Sequence, residues 1–289
     1  MTTLALPSCL GPVIAAFRAW MDSISFLPTR RGARGHHRTG HVSLVGAGPG
    51  SADLITLRGL QRLQAADVVF YDRLADPALL DHAPGTARRV YVGKAPGCHA
   101  MAQTEINRLL VQSAWRGQAV VRLKCGDPGI FGRGAEEAAA CDAAGVSWDV
   151  VPGVTAACAA AAAARSFLTE RGQTERLVLA TGHLRQDGVQ DWSASAAPGT
   201  TLACYMGVSQ AGPIMAGLIA AGWPESSPVQ VISKAQTAAQ VVRACPLSDL
   251  ARLCAGHPGL NPAILLIRWR HGAQATVPQD LARQGIPAT

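Results

Sequence analysis

Residues 41–50 read HVSLVGAGPG, and the fold turns on them. The first five are short, rich in β-branched side chains and stopped by Gly46, the pattern of a buried strand ending in a tight turn. Apolar residues recur at helical spacing over 57–66, and a second short apolar run, VVFY, occupies 68–71. The alternation continues outward with strands expected over 90–92, 119–123 and 148–151. Between them lie helices over 103–115, where Ile106, Leu109, Leu110 and Ala114 share a face, and over 135–144. Strands alternating with helices predict an α/β protein whose sheet has a substantial parallel component. After Pro152-Gly153 the pattern restarts with an alanine-rich helix over 155–164 and strands over 177–180, 202–205, 229–232 and 264–267. Helices over 213–221 and 247–254 separate the later strands. Two α/β domains joined near residue 152 are therefore expected, with a ligand in the crevice where strand ends face one another. The alanine-rich helix suits a close-packed subunit interface and a plain core position equally.

Composition narrows the function classes. The chain has 289 residues, 48% hydrophobic and 16% charged, so a sizeable core forms and global disorder is excluded. No apolar run reaches the roughly 18 residues of a membrane span. The eight cysteines include no Cys-x-x-Cys pair, which argues against a zinc site or a disulfide scaffold and for free thiols in the cytoplasm. The net charge of +7 is uneven, because Arg18, Arg30, Arg31, Arg34 and Arg38 face only Asp22 within residues 1–40. That segment carries +4 and the remainder +3, with no basic run interleaved with aromatics, so nucleic acid is not the expected partner. An acidic small molecule is. Residues 1–40 are expected to be a poorly ordered extension, 41–152 and 153–275 the two domains, and 276–289 a tail.

Chemistry-bearing residues collect at the expected strand ends. Gly46-Ala47-Gly48-Pro49-Gly50 resembles a dinucleotide loop but fails in detail: Ser51 stands where the third glycine belongs, and Pro49 lacks the N–H a pyrophosphate needs. Tyr71-Asp72-Arg73 ends the second strand and Gly93-Lys94 the third, making Asp72 and Lys94 a candidate acid–base pair. Lys124-Cys125-Gly126-Asp127-Pro128 follows the fourth. Four successive strands ending in small or charged residues mark a site at the carboxyl edge of the sheet.

Taken together, LVGAGPGSADLITLRG, VVFYDRL, VGK, QTEIN, RLKCGDPGIFGRGAEE, VVPGVTAA, TGH and YMG resemble the uroporphyrinogen-III C-methyltransferases, within the tetrapyrrole methylases. The resemblance runs over roughly residues 41–270. It implies the tetrapyrrole methylase fold, two α/β domains with the active site in the cleft between them, and a homodimer. It further implies S-adenosylmethionine as methyl donor, no metal, and methylation of uroporphyrinogen III at C2 and C7 to precorrin-2. Carried over by motif, Pro49, Cys125, Gly126, Asp127, Ile130, Thr155, Ala156, Met206 and Ala235 would hold the donor. Asp72 matches the family's proton acceptor and Lys94 its proton donor. Arg73, Arg122 and Arg133 are candidates to receive the substrate's carboxylates in bidentate fashion.

The chain departs from that pattern at Cys125, Gly129, Glu170, Ala235 and Arg268. The family has glycine at the first, fourth and fifth of these, an aromatic at the second and histidine at the third. A cysteine at 125 is expected to crowd the donor, and Glu170 to reverse the charge beside a polyanion. These differences keep two other readings open: methylation of another precorrin-type tetrapyrrole, and a non-catalytic paralogue that binds S-adenosylmethionine.

Overall fold

The computed structural model describes residues 39–93, 101–183 and 191–271. Its first five strands are β1 (His41–Gly46), β2 (Val68–Tyr71), β3 (Arg88–Tyr91), β4 (Ala119–Lys124) and β5 (Ser147–Val151). They form one sheet in the order β3-β2-β4-β1-β5, and every pairing is parallel. Parallel strands need crossovers, here supplied by α1 (Leu57–Gln64), α2 (Gln103–Trp115) and α3 (Gly134–Ala143) among the described helices. Thr56 caps α1 by accepting the Gly59 N–H at 3.2 Å. The central strands β1 and β4 are buried along almost their whole length, as continuous apolar runs flanked on both sides demand. All five carboxyl ends therefore emerge at one edge.

The second sheet is mixed. Strands β6 (Arg176–Thr181), β7 (Thr200–Tyr205), β8 (Pro228–Ser233), β9 (Val241–Pro246) and β10 (Ala263–Trp269) lie in the order β6-β7-β10-β8-β9. Only β6 and β7 pair in parallel; β10 runs antiparallel to both β7 and β8, and β9 antiparallel to β8. Its helices are α4 (Ala156–Ala163), α5 (Ala211–Ala220) and α6 (Leu250–Gly256). One face packs a core around Trp192, Leu202, Trp223, Leu250 and Leu265. Against the other lies α4, where Ala157, Ala160 and Ala161 meet Ala203, Tyr205, Ile232 and Leu266. The alanine-rich helix is thus a core helix: its small side chains let it approach the sheet closely.

The sequence reading omitted β9, which is mostly half-buried or exposed and carries the exposed Arg243 where an apolar alternation would place an inward residue. It also did not foresee that β10 reverses direction. Arg268, expected just after the last strand, lies inside β10. The expected extension over 1–40, apart from its last two residues, and the tail over 276–289 fall outside the described residues.

Candidate functional site

The carboxyl edges of the two sheets meet. In the first sheet, Gly46, Gly126 and Gly153 bring three backbones together, and a Cβ on Gly46 would sit 2.6 Å from the Gly153 Cα and 2.7 Å from the Gly126 oxygen. Only glycine permits that approach. Gly48 and Gly126 exchange backbone hydrogen bonds (2.8 and 3.3 Å), tying the loop after β1 to the loop after β4. The same glycine loop reaches the second sheet. Ser51 donates its N–H to the Gln236 carbonyl at 3.0 Å, and a Cβ on Gly50 would meet the Ala235 oxygen at 2.5 Å. Below this contact, Thr155 and the Tyr205 hydroxyl hydrogen-bond at 2.6 Å while Ala157 donates its N–H to that hydroxyl. Phe131, from the loop after β4, sets its ring 5.0 Å from Tyr205.

Strained backbone concentrates here. Phe131, Arg133, Met206, Lys234 and Gln236 all take positive φ between 47° and 61°, and all lie in the loops after β4, β7 and β8. Non-glycine residues in that region cost of order 1 kcal/mol or more each, a cost typical of functional sites. Met206 and Phe131 nevertheless stay 48% and 41% exposed, leaving apolar side chains open where the two edges meet.

A buried ionic quartet underlies this junction. Arg122 and Lys124, two residues apart on β4, point to the same face of the sheet. Glu137, fully buried in the first turn of α3, accepts from Arg122 Nε at 3.0 Å and from Lys124 Nζ at 2.8 Å. Arg122 also donates through one terminal nitrogen to Asp72 Oδ2 at 3.1 Å and through the other to the Leu123 carbonyl at 2.7 Å. Asp72 accepts the Leu74 N–H on its second oxygen, which fixes the carboxylate plane. Burial pushes the Lys124 ammonium below its usual range, Arg122 adds to that push, and Glu137 opposes it.

The expected residues fall into three groups. Asp72, Pro49, Cys125, Gly126, Asp127, Ile130, Thr155, Ala156, Met206 and Ala235 all sit at the meeting edges; Ile130, Ala156 and Ala235 pack on one apolar cluster with Tyr205. Asp127 spends its carboxylate on the backbone, accepting from Gly129 at 2.7 Å and Gly153 at 3.0 Å, so it locks the turn. The Cys125 thiol is pushed up to about 12 by burial and by the nearby charge of Asp72. Arg73 is exposed, and Arg133 is half-exposed with its guanidinium forked onto Glu136 at 2.7 and 2.8 Å. Arg122 requires a correction: only 5% exposed and bound through all three nitrogens, it cannot receive a substrate carboxylate as the sequence suggested. It orients Asp72 instead. Lys94 lies outside the described residues.

Two departures prove to be one structural unit. Arg268, 5% exposed, donates to Gln230 at 2.7 Å, to Ser166 Oγ at 3.0 Å and to the Phe167 carbonyl at 3.3 Å. It therefore straps the loop at Ser166 and Phe167, just before Glu170, to β10, while Glu170 faces Arg270 at 3.3 Å, so the acid there already has a cation. Sequence reasoning missed Glu137, and it gave no role to Lys124, placed at a strand end, or to Tyr205, placed in the YMG motif. Two cations at i and i+2 in an otherwise apolar strand were a usable signal, since buried cations need an acid beneath them. Tyr205 gave none, reading as the last apolar residue of β7.

Concavity alone does not select this site. A groove of about 470 Å³ between α2 and α3 is lined by residues such as Val111, Trp115 and Ala140 and by none of the loops above. Among the described residues no group of three His, Cys, Asp or Glu side chains is placed to hold a metal, and no helix is long and apolar enough to cross a membrane.

A parallel five-stranded sheet and a mixed five-stranded sheet, joined where the glycine loop after β1 meets the loop after β8, define a two-sheet α/β architecture with its candidate site at that junction. The tetrapyrrole (corrin/porphyrin) methylase model matches residues 41–251, and the chain belongs to that family. Among solved structures, a cobalt precorrin-4 methyltransferase of cobalamin biosynthesis superposes with TM-score 0.69 at 29% identity, over 83% of this chain and 98% of that one. Uroporphyrin-III C-methyltransferase from Thermus thermophilus, solved with S-adenosyl homocysteine, superposes with TM-score 0.68 at 36% identity, over 79% and 92%. Siroheme synthase 1 of Yersinia enterocolitica is 48% identical over 229 residues, covering 79% of this chain and 48% of the relative. The chain thus spans about half the length of the siroheme synthases it matches.

Proposed function

We propose that the chain transfers methyl groups from S-adenosylmethionine to C2 and C7 of uroporphyrinogen III, giving precorrin-2 for sirohaem, cobalamin or haem d1 synthesis. The observation that carries this reading is the convergence, at one junction of two sheets, of Asp72 with the 125–127 turn, Thr155, Met206 and Ala235. The residues present suit the donor: glycines leave a close-approach surface, Met206 and Phe131 present open apolar side chains, and the loop backbones are held in place by Asp127 and Tyr205. Pro49, Cys125–Asp127, Ile130, Thr155, Ala156, Met206 and Ala235 would hold it. When bound, S-adenosylmethionine supplies an electrophilic sulfonium methyl for an electron-rich pyrrole carbon.

The protein's own contribution is proton handling and orientation. Asp72, fixed by Arg122 and the Leu74 N–H, accepts the proton that the substrate sheds as the new C–C bond forms. Lys94 is the proposed proton donor. Arg73 and Arg133 face solvent near the edge, and Arg133 would exchange Glu136 for a substrate carboxylate. The reading carries with it a cytoplasmic homodimer, supported by the family resemblance.

Anaerobic incubation with uroporphyrinogen III and methyl-labelled S-adenosylmethionine, followed by mass counting, tests it. Two added methyls are expected. A single methyl would limit the reading to one transfer, and none with donor binding intact would move it to another precorrin or to the non-catalytic paralogue.

A further inference from the structure

We infer that Glu137 is a positioning residue for the reaction: by holding Arg122 and Lys124 from beneath the sheet, it sets the place of Asp72 and the balance of charge around it. The inference rests on the reading of Asp72 as proton acceptor. Three features converge on Glu137. It has no solvent exposure, and burying an isolated carboxylate is prohibitive unless cations meet it. Each of its oxygens takes a cation from a different residue of β4, and Gln103 on α2 adds a third donor at 3.3 Å. The Arg122 guanidinium it orients is the same group that reaches Asp72 at the open edge.

The charges make the coupling directional. Arg122 and Lys124 against Glu137 and Asp72 sum to zero, so the quartet is neutral with Asp72 ionised. Around Asp72 stand Arg122 and Lys124 from β4, the Cys125 thiol after it, the adjacent Arg73, and Glu137 through Arg122. Lys124 is only 4% exposed and packs beside the loop after β4, where a Cβ on Gly132 would lie 3.2 Å from its Cε. Removing the charge of Glu137 leaves two cations facing Asp72 alone. More positive than negative charge then faces the proposed base. Removing the charge of Lys124 does the reverse.

The test is the pH profile of methyl transfer in the full chain for Glu137→Gln, Lys124→Met and the double variant, with S-adenosylmethionine affinity measured separately. Glu137→Gln is expected to lower kcat at least tenfold with donor affinity within twofold. Its acid limb should move down by roughly one pH unit. Lys124→Met should move the limb up by a similar amount, and the double variant, neutral again, should return it to within a few tenths of a unit of the parent. A purely structural role predicts losses without these opposed shifts. Limbs that stay in place, or that move the same way in both single variants, overturn the proposal. If Glu137→Gln does not fold, an upward limb in Lys124→Met supports the coupling and an unmoved one overturns it. Asp72→Asn separates the underlying reading: turnover that persists in that variant with the acid limb intact refutes Asp72 as the base, whatever Glu137 does.

Discussion

Two buried arginines, one in each sheet, are handled in opposite ways. Arg122 in β4 is met by two carboxylates, Glu137 and Asp72. Arg268 in β10 is met by a glutamine, a serine hydroxyl and a backbone carbonyl, and desolvation lowers it to about 10. The first is part of a charged network that reaches the open edge of its sheet. The second braces a loop with neutral acceptors. Ion pairing keeps charge available beside Asp72, whereas neutral solvation only satisfies a cation buried within β10. The contrast sets a charged network that reaches one sheet edge against a neutral brace inside the other sheet.

The largest effect should come from the network's exposed end. Asp72→Asn is expected to reduce turnover by about 10²–10⁴-fold, as loss of a general base does, with S-adenosylmethionine affinity nearly unchanged. Steady-state rates and calorimetric titration check it. Next, Arg122→Met should destabilise the fold by about 3–5 kcal/mol, because it leaves Glu137 short of a cation in a fully buried site. Arg268→Met should change stability by less than about 1.5 kcal/mol, since its partners are neutral and a buried cation is removed with it. Urea midpoints of the two variants would break the comparison if they came out equal.

A backbone test follows. Gly153→Ala places a Cβ against the Gly126 carbonyl, a contact with no flexible side chain to yield. About 1–3 kcal/mol of destabilisation and a weakened donor affinity are expected, read from melting and titration. The smallest effect concerns reactivity. Cys125, pushed up to about 12, should resist iodoacetamide at pH 8 while the exposed Cys158 is alkylated, as mass mapping would show.

Much of this was legible from residues alone. The parallel sheet followed from short apolar runs alternating with amphipathic helices, and the strand-end loops pointed to the edge where the sheets meet. What escaped was tertiary. The edge strand β9 carries Arg243 and few inward apolar residues, so its burial pattern resembles a loop. Arg122 read as an open cation because nothing local to 119–124 announces that Glu137, in the next helix, lies beneath it. Cys125 and Arg268 looked like isolated departures, yet Arg268 and Ser166, 102 positions apart, form one brace. Contacts across such separations are set by tertiary packing, which single-sequence patterning does not encode.

Under the proposed function, donor and substrate meet where the loops after β1 and β4 join those after β7 and β8, over the Arg122–Asp72 pair. A crystal structure of the chain with S-adenosylhomocysteine tests it most directly. The ligand is predicted to lie between the 46–50 loop, the 125–127 turn, Met206 and Ala235, with Asp72 still bound to Arg122. Occupancy of the groove between α2 and α3, or a bound ligand that leaves these loops untouched, would contradict it.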